Sequence, residues 1–365
     1  MNFLQNAIWY KNCQPIAIID DGVIVEKNGK IRLIIDNKSV DICNINIGTL
    51  QRIEERLPCL RRLFRREIRC SCLVDDANVL FFRCGLLYNL NYETNTLHSI
   101  WKVPTGYSTP LNILACKDGK YRAFFGDYFD NHDRLEVNIY GVTDSGNVEV
   151  VFSFPKKTIR HIHNIISDGS TGYYIFAGDD DADAGIYHSD SSFRKVTPIY
   201  IGDKQARAVV GFVLNNGILF ATDSVCERNH IYYLEKKELE WKKKVVAEIN
   251  GSCINGARFK DGFVFSTTVE PPESDGSLRS LISTDLGEGI LSDYVELVAV
   301  YDDLSVELVG KIKKDNLPYK LFQYGTIRFI SNTNDVLCMY PTGVRKYDGK
   351  LGLLRNVNEY FDVNE

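Results

Sequence analysis

No apolar run in this sequence approaches the ~18 residues that a membrane-spanning helix requires. Neither sign of charge dominates. The 43 Lys and Arg residues stand against 48 Asp and Glu, so the net charge is −5 and the global basic field used for nucleic-acid binding is missing. Residues 1–12 lack both a basic segment and a sustained apolar core, so no export signal is visible and a cytoplasmic location is expected. GxGxxG and Walker-type runs are absent, which disfavours nucleotide hydrolysis and dinucleotide cofactors. A GxSxG nucleophile elbow is absent too. The ten cysteines include no CxxC pair; they are scattered from Cys13 to Cys338, and several (Cys84, Cys116, Cys338) sit in strand-like runs as small hydrophobes. Reduced thiols are expected, and 365 residues bury a core without staples.

What is present is a repeat. Runs rich in Phe, Tyr, Ile and Val, each ending in a small or acidic residue, occur at 79–85, 121–127, 173–179, 217–223 and 262–268, with a later copy at 336–342. Taking Gly126, Gly178, Thr222 and Thr267 as equivalent gives steps of 52, 44 and 45 residues. A second marker, Asp144, Asp190 and Asp285, is separated by 46 and 95 residues, one period and two. A mid-forties period with several short strands per unit is the signature of a β-propeller blade. The expected fold is therefore all-β, a single propeller domain over 1–365. Division gives seven blades, with six or eight as neighbouring counts and the first and last segments able to share one.

One stretch, near 48–68, reads as a helical insertion. It carries Arg52, Arg56, Arg61, Arg62, Arg65 and Arg66, with Leu57, Leu60, Leu63 and Phe64 between them, and Pro58 divides it into two short helices. Such a segment can contact a membrane surface or a protein partner, or can simply pack on the propeller. The last is the favoured reading.

Chemistry in a propeller gathers at one mouth of the central channel. Two expected innermost strands carry it, Arg160–Ile166 with His161 and His163, and Lys204–Val210 with Gln205 and Arg207. Alternation puts His161 and His163 on one face, and Gln205 and Arg207 on one face. His161 to Asp179 and Gln205 to Asp223 are both 18 residues, which aligns the two blades. Asp127, Asp179 and Asp223 then share one repeat position, with Tyr128, Asn131, Asp180 and His230 nearby. Three chemistries stay open. His161, His163 and Asp127 are candidate ligands for a divalent metal (zinc, manganese or calcium). Arg207, with Gln205 and Asn131, is a candidate binder of a sugar carboxylate while His163 or Tyr128 moves a proton. Asp179 and Asp223 are candidate acid/base carboxylates for glycoside hydrolysis. The acidic loop 178–183 does not match EF-hand spacing and reads as a solvated turn.

Ser283-Thr-Asp285-Leu-Gly287 and Val142-Thr-Asp144-Ser-Gly146 resemble the turn motif of sialidase-like propellers built from Asp-box (BNR) repeats, Ser-x-Asp-x-Gly-x-Thr-Trp. His188-Ser-Asp190 keeps only the Asp, and none of the three keeps the Thr-Trp. The run Gly126-Asp127-Tyr128, Arg160-His161-Ile162-His163, Gly178-Asp179, Gln205-Ala-Arg207 and Thr222-Asp223-Ser224 is similar to glycosidase-like propellers associated with bacterial surface-polysaccharide genes. That resemblance covers roughly residues 70 to 350. It implies a carbohydrate ligand and a glycoside hydrolase or lyase acting on an acidic or deoxy sugar. The alternative it leaves is a non-catalytic scaffold or sugar-binding module. The sialidase arginine triad and Tyr/Glu pair have no counterpart here, so sialic-acid hydrolysis is not implied.

Overall fold

Alternation of large apolar and small residues makes each repeat a four-stranded antiparallel meander, and seven such sheets form a ring in the computed structural model of the chain. The structure describes residues 2–355 other than 21, 37, 117, 118, 181, 239, 274–276 and 332–334. Blades 1 to 6 run in sequence order over 14–44, 68–102, 114–154, 162–201, 208–249 and 253–313. Blade 7 takes three strands from 326–355, and its outermost strand is Ile8–Lys11 from the other end of the chain, pairing Ile8 with Leu353. The propeller is seven-bladed, and the first and last segments do share a blade.

The first strand of each blade lies innermost, and the second carries most of the core. Phe81, Phe125, Phe176, Phe220 and Phe265 are almost wholly buried, all on second strands. Each such ring removed from water contributes on the order of 2–3 kcal/mol. Apolar clusters lie between neighbouring blades, for example Val210, Leu219 and Ile231 of blade 5 with Phe263 and Phe265 of blade 6.

In five blades the pairing of the first two strands slips by one residue at the same place. The slip falls between Pro15 and Ala17, Ile68 and Cys70, Ile162 and Asn164, Ala208 and Val210, and Cys253 and Asn255. A bulge re-aims the extra residue, here Ile16, Arg69, His163, Val209 and Ile254.

Among the described residues, five short helices decorate the ring: α1 (Phe3–Asn6), α2 (Thr49–Arg56), α3 (Pro58–Leu63), α4 (Leu278–Ile282) and α5 (Tyr319–Phe322). Pro58 does end one insertion helix and begin the next, as the first residue of α3. No helix among the described residues is long and apolar enough to cross a membrane. Asp144 and Asp190 occupy the turn between third and fourth strands of blades 3 and 4. Asp285 instead lies in the long connection between the second and third strands of blade 6, so its two-period spacing does not mark an equivalent turn. Asp190 Oδ1 accepts from Ser192 N at 2.9 Å and from Arg194 N at 3.1 Å, closing its turn.

Candidate functional site

His161 and His163 enter the site from the start of the first strand of blade 4, both buried. His161 Nδ1 is 3.0 Å from Phe129 O and His163 Nδ1 is 3.0 Å from Ala208 O. A carbonyl only accepts, so each Nδ1 carries the hydrogen, and in the neutral rings both Nε2 lone pairs are bare. Those two Nε2 atoms face each other at 2.9 Å and face the Asp179 carboxylate at 3.2 and 3.1 Å.

Three acceptors converging in this way require a positive guest, a proton or a metal ion. The donor set fits a divalent metal, because each imidazole donates its far N–H to a main-chain carbonyl, the arrangement that orients metal-bound histidines. Two bonds of about 2.0–2.2 Å at right angles span about 2.8–3.1 Å, close to the separations found.

Asp179 is also reached by Arg160 Nη1 at 3.3 Å and Arg207 Nε at 3.4 Å, and Arg207 Nη2 lies 3.5 Å from Asp223 Oδ2. Arg160 further binds Asp130 at 2.7 Å. Two guanidinium groups thus meet three carboxylates, and the cluster favours an added cation. Burial opposes ionisation of Asp179, but when the guest is a proton on the imidazoles, their hydrogen bonds and charge outweigh it and hold its carboxyl well below the usual carboxylate range. Burial likewise works against the charge of Arg207, which the carboxylates of Asp223 and Asp179 more than offset.

The register differs from the expected one. Gly178 N donates to His161 O and Asp223 N donates to Arg207 O, each at 3.0 Å. His161 is therefore equivalent to Arg207 rather than to Gln205, and Asp223 to Gly178 rather than to Asp179. Residues Lys204–Ala206 form a 3-10 turn instead of a strand, started by Asp203, whose side chain accepts from Gln205 N. The turn rotates Gln205 away from Arg207. Its amide meets Glu227 at 2.9 Å, His230 at 3.2 Å and Tyr232 at 3.1 Å.

Two more expected site residues are structural. Asp127 Oδ2 accepts from Asn138 N at 2.8 Å, so the third acceptor beside the histidines is Asp179 and not Asp127. Asn131, 2% exposed, gives its amide to Leu135 O and Arg160 O and accepts from Leu135 N, which ties blade 3 to blade 4. In the acidic loop Asp181 lies outside the described residues. Asp183 is buried, caps Asp180 N at 2.9 Å and meets Arg134 at 3.1 Å.

Beside the cluster, the channel mouth opens into a cavity of about 570 Å³. Tyr128 lines it, with its ring centroid 4.5 Å from that of His161, and its hydroxyl makes no hydrogen bond among the described residues. Its phenol is pushed upward by burial, with Arg69 opposing. His163 reaches the cavity only through this ring: both its nitrogens are occupied within the cluster.

The walls also hold Arg65, Arg69, Arg328, Glu67 and Tyr324. Three guanidinium groups against one carboxylate make the mouth cationic. Glu67 is itself engaged by Gln323 Nε2 at 3.0 Å. Arg328 donates to Pro15 O at 2.9 Å. Arg69 is exposed to the channel and has neither an ion pair nor a hydrogen bond among the described residues. Glu270, just past the second strand of blade 6, accepts from Thr268 Oγ1 at 2.6 Å and Ser252 Oγ at 2.8 Å. Burial, and then the charge of Asp223, push its carboxyl up to about 7.

Sequence reasoning missed Arg69, Glu270 and Tyr324. Arg69 had a usable signal, since it holds the bulge position that His163 holds in blade 4.

No protein-family model matches the sequence, and no curated protein sequence matches it. Solved structures do match in fold. The extracellular domain of a putative one-component system from B. thetaiotaomicron aligns with 97% of this chain at a TM-score of 0.56 and 11% identity. This chain spans only 40% of that protein's length. Oligogalacturonate lyase from Vibrio parahaemolyticus aligns with 94% of this chain and 93% of its own at a TM-score of 0.53 and 11% identity. An oligogalacturonate lyase in complex with manganese aligns over 93% and 91%, at a TM-score of 0.51 and 11% identity. At such identities the likeness is one of fold.

Proposed function

We propose that this protein is a carbohydrate-active enzyme, a lyase that cleaves an acidic sugar chain at the channel mouth. The observation that carries the reading is the cationic cavity, with Arg65, Arg69 and Arg328 in its walls, set beside a cluster of acceptors that calls for a metal. Hydrolysis needs two uncommitted carboxylates across the substrate. Asp179 and Asp223 are instead committed to the histidines and Arg207, and Glu67 to Gln323. Arg207, already shared by two carboxylates, yields the anion-binding role to Arg69.

Elimination asks less of the site: an anion holder, a base and an acid. A uronic acid carboxylate would lie against Arg69 and Arg328. Glu270, which stands behind the lining residue Tyr324 and is poised near neutrality, would take the proton on the carbon next to that carboxylate once substrate reaches past Tyr324. The electron pair then forms a double bond to the neighbouring carbon as its bond to the glycosidic oxygen breaks, and Tyr128 protonates the departing oxygen. His161, His163 and Asp179 would hold the metal, which when bound would supply positive charge behind the Tyr128 ring and make its phenol a better acid. The lyases among the fold's neighbours, one with manganese, support this reading, as do the ten free thiols for a reducing cytoplasmic setting.

The test is elemental analysis and an ultraviolet assay for unsaturated product on uronic-acid oligosaccharides. Wild type should carry about one equivalent of divalent metal and release unsaturated ends. His161→Ala and His163→Ala should lose the metal, whereas Glu270→Gln and Tyr128→Phe should keep it and lose turnover by roughly 100-fold or more. The self-paired Arg207, Asp179 and Asp223 favour a second reading, a sugar-binding module, and glycan binding without product in every sample would select it.

A further inference from the structure

Helices α2 and α3 are built inside out. Their buried side chains are Glu54, Glu55, Arg61 and Arg62, while Leu50, Ile53, Leu57, Leu63 and Phe64 are 71%, 49%, 49%, 38% and 46% exposed. Each inward charge faces an opposite one, Arg61 only loosely, with Glu67 at 3.9 Å and Asp348 at 4.0 Å. Glu55 pairs with Arg83, Glu54 with Arg66 at 2.7 Å, and Arg62 with Asp315 at 2.5 Å and Phe322 O at 2.6 Å. This bolts the insertion onto the ring, as the packed reading of the segment expected. It also turns the apolar stripe outward, where a soluble helix has no use for it.

The charges on that outward face are of one sign. Arg52, Arg56 and Arg65 are exposed among the leucines, and both helix carboxylates point inward. The apolar surface continues onto α4, where Leu278 and Ile282 are 83% and 65% exposed; α4 packs on α5, which packs on α3.

We propose that this helical hairpin is a peripheral membrane anchor for an anionic phospholipid surface. Alternating leucine and arginine on a protruding hairpin suits a bilayer interface, where apolar side chains enter the acyl boundary and guanidinium groups stay among phosphates. A protein partner would have to pair each guanidinium individually, whereas anionic headgroups neutralise them together. The hairpin also borders the mouth, because Arg65 lines the cavity and Gln323, held by Arg62 O at 3.1 Å, lines it too. A docked molecule therefore turns its mouth toward the lipid headgroups.

The experiment is co-sedimentation of the full chain with vesicles of phosphatidylcholine alone or mixed with phosphatidylglycerol, at low and high salt. Binding is expected to the mixed vesicles only and to weaken with salt. Arg52→Gln/Arg56→Gln should weaken it by roughly 30-fold, from about fivefold per arginine. Leu50→Gln/Ile53→Gln/Phe64→Gln should abolish it, with circular dichroism showing that both variants keep the fold. Equal binding to both vesicle types, or none to either, overturns the proposal. So does a dimer in light scattering that the leucine variant dissociates, since the occupant would then be a second copy.

Discussion

His161 and His163 owe their chemistry to two main-chain carbonyls. By accepting from both Nδ1 atoms, Phe129 O and Ala208 O expose both Nε2 lone pairs to Asp179. Glu270 is the contrasting case, a carboxyl whose site favours the proton. Unfolded, a glutamate releases it near 4.5, and folded, Glu270 holds it to about 7. The native state therefore binds the extra proton between those values. Stability from this group is complete below about pH 4.5 and lost as the pH rises through about 7. Urea unfolding at pH 5 and pH 8 should show wild type losing on the order of 2 kcal/mol that Glu270→Gln does not lose. Parallel losses in both proteins would mean that another group titrates. The His-x-His pair was legible in the sequence as two like residues two apart, although a bulge at His163, not plain alternation, turns it beside His161. The uses of Asp127 and Asn131 were not, because a carboxylate aimed at Asn138 N reads the same in sequence as one aimed at a ligand.

Within the blades, the repeated bulge is what turns a strand into a site. It supplies His163 in blade 4 and Arg69 in blade 2, whereas Val209 and Ile254 make the same position apolar in blades 5 and 6. The strand runs and their period could be read directly, because apolar burial sets them. The one-residue register could not, because it depends on the 3-10 turn at 204–206 and on Gly178. Gly178 has φ +76°, and a Cβ there would stand 2.0 Å from Asp183 O. Its turn places Asp179 one residue beyond the equivalent of Asp223, back against the histidines. Gly178→Ala should cost about 1–3 kcal/mol in thermal or urea unfolding and should release the metal with Asp179 still present. Full metal retention would show that Asp179 reaches the cluster without this turn.

As a whole, the molecule depends on a closure made from both chain ends. Phe3, Leu4 and Trp9 pack with blades 6 and 7, and Trp9 stacks on Tyr347 at 3.9 Å. A chain starting at Gln14 should unfold at clearly lower urea than the full chain, and a separate peptide of residues 1–12 should restore part of the difference. An unchanged midpoint would show that the ring holds without its closing strand.

The same closure sets a timetable for synthesis. Ile8 leaves the ribosome 345 positions ahead of its partner Leu353. At about 5–20 residues per second the first strand waits roughly 17–70 s for its partner. During that interval blades 1 to 6 can form in order, but the growing arc keeps two open edges that invite pairing with other chains. A nascent molecule is therefore most exposed to aggregation just before Leu353 emerges, and a chain stopped short of blade 7 stays an open arc.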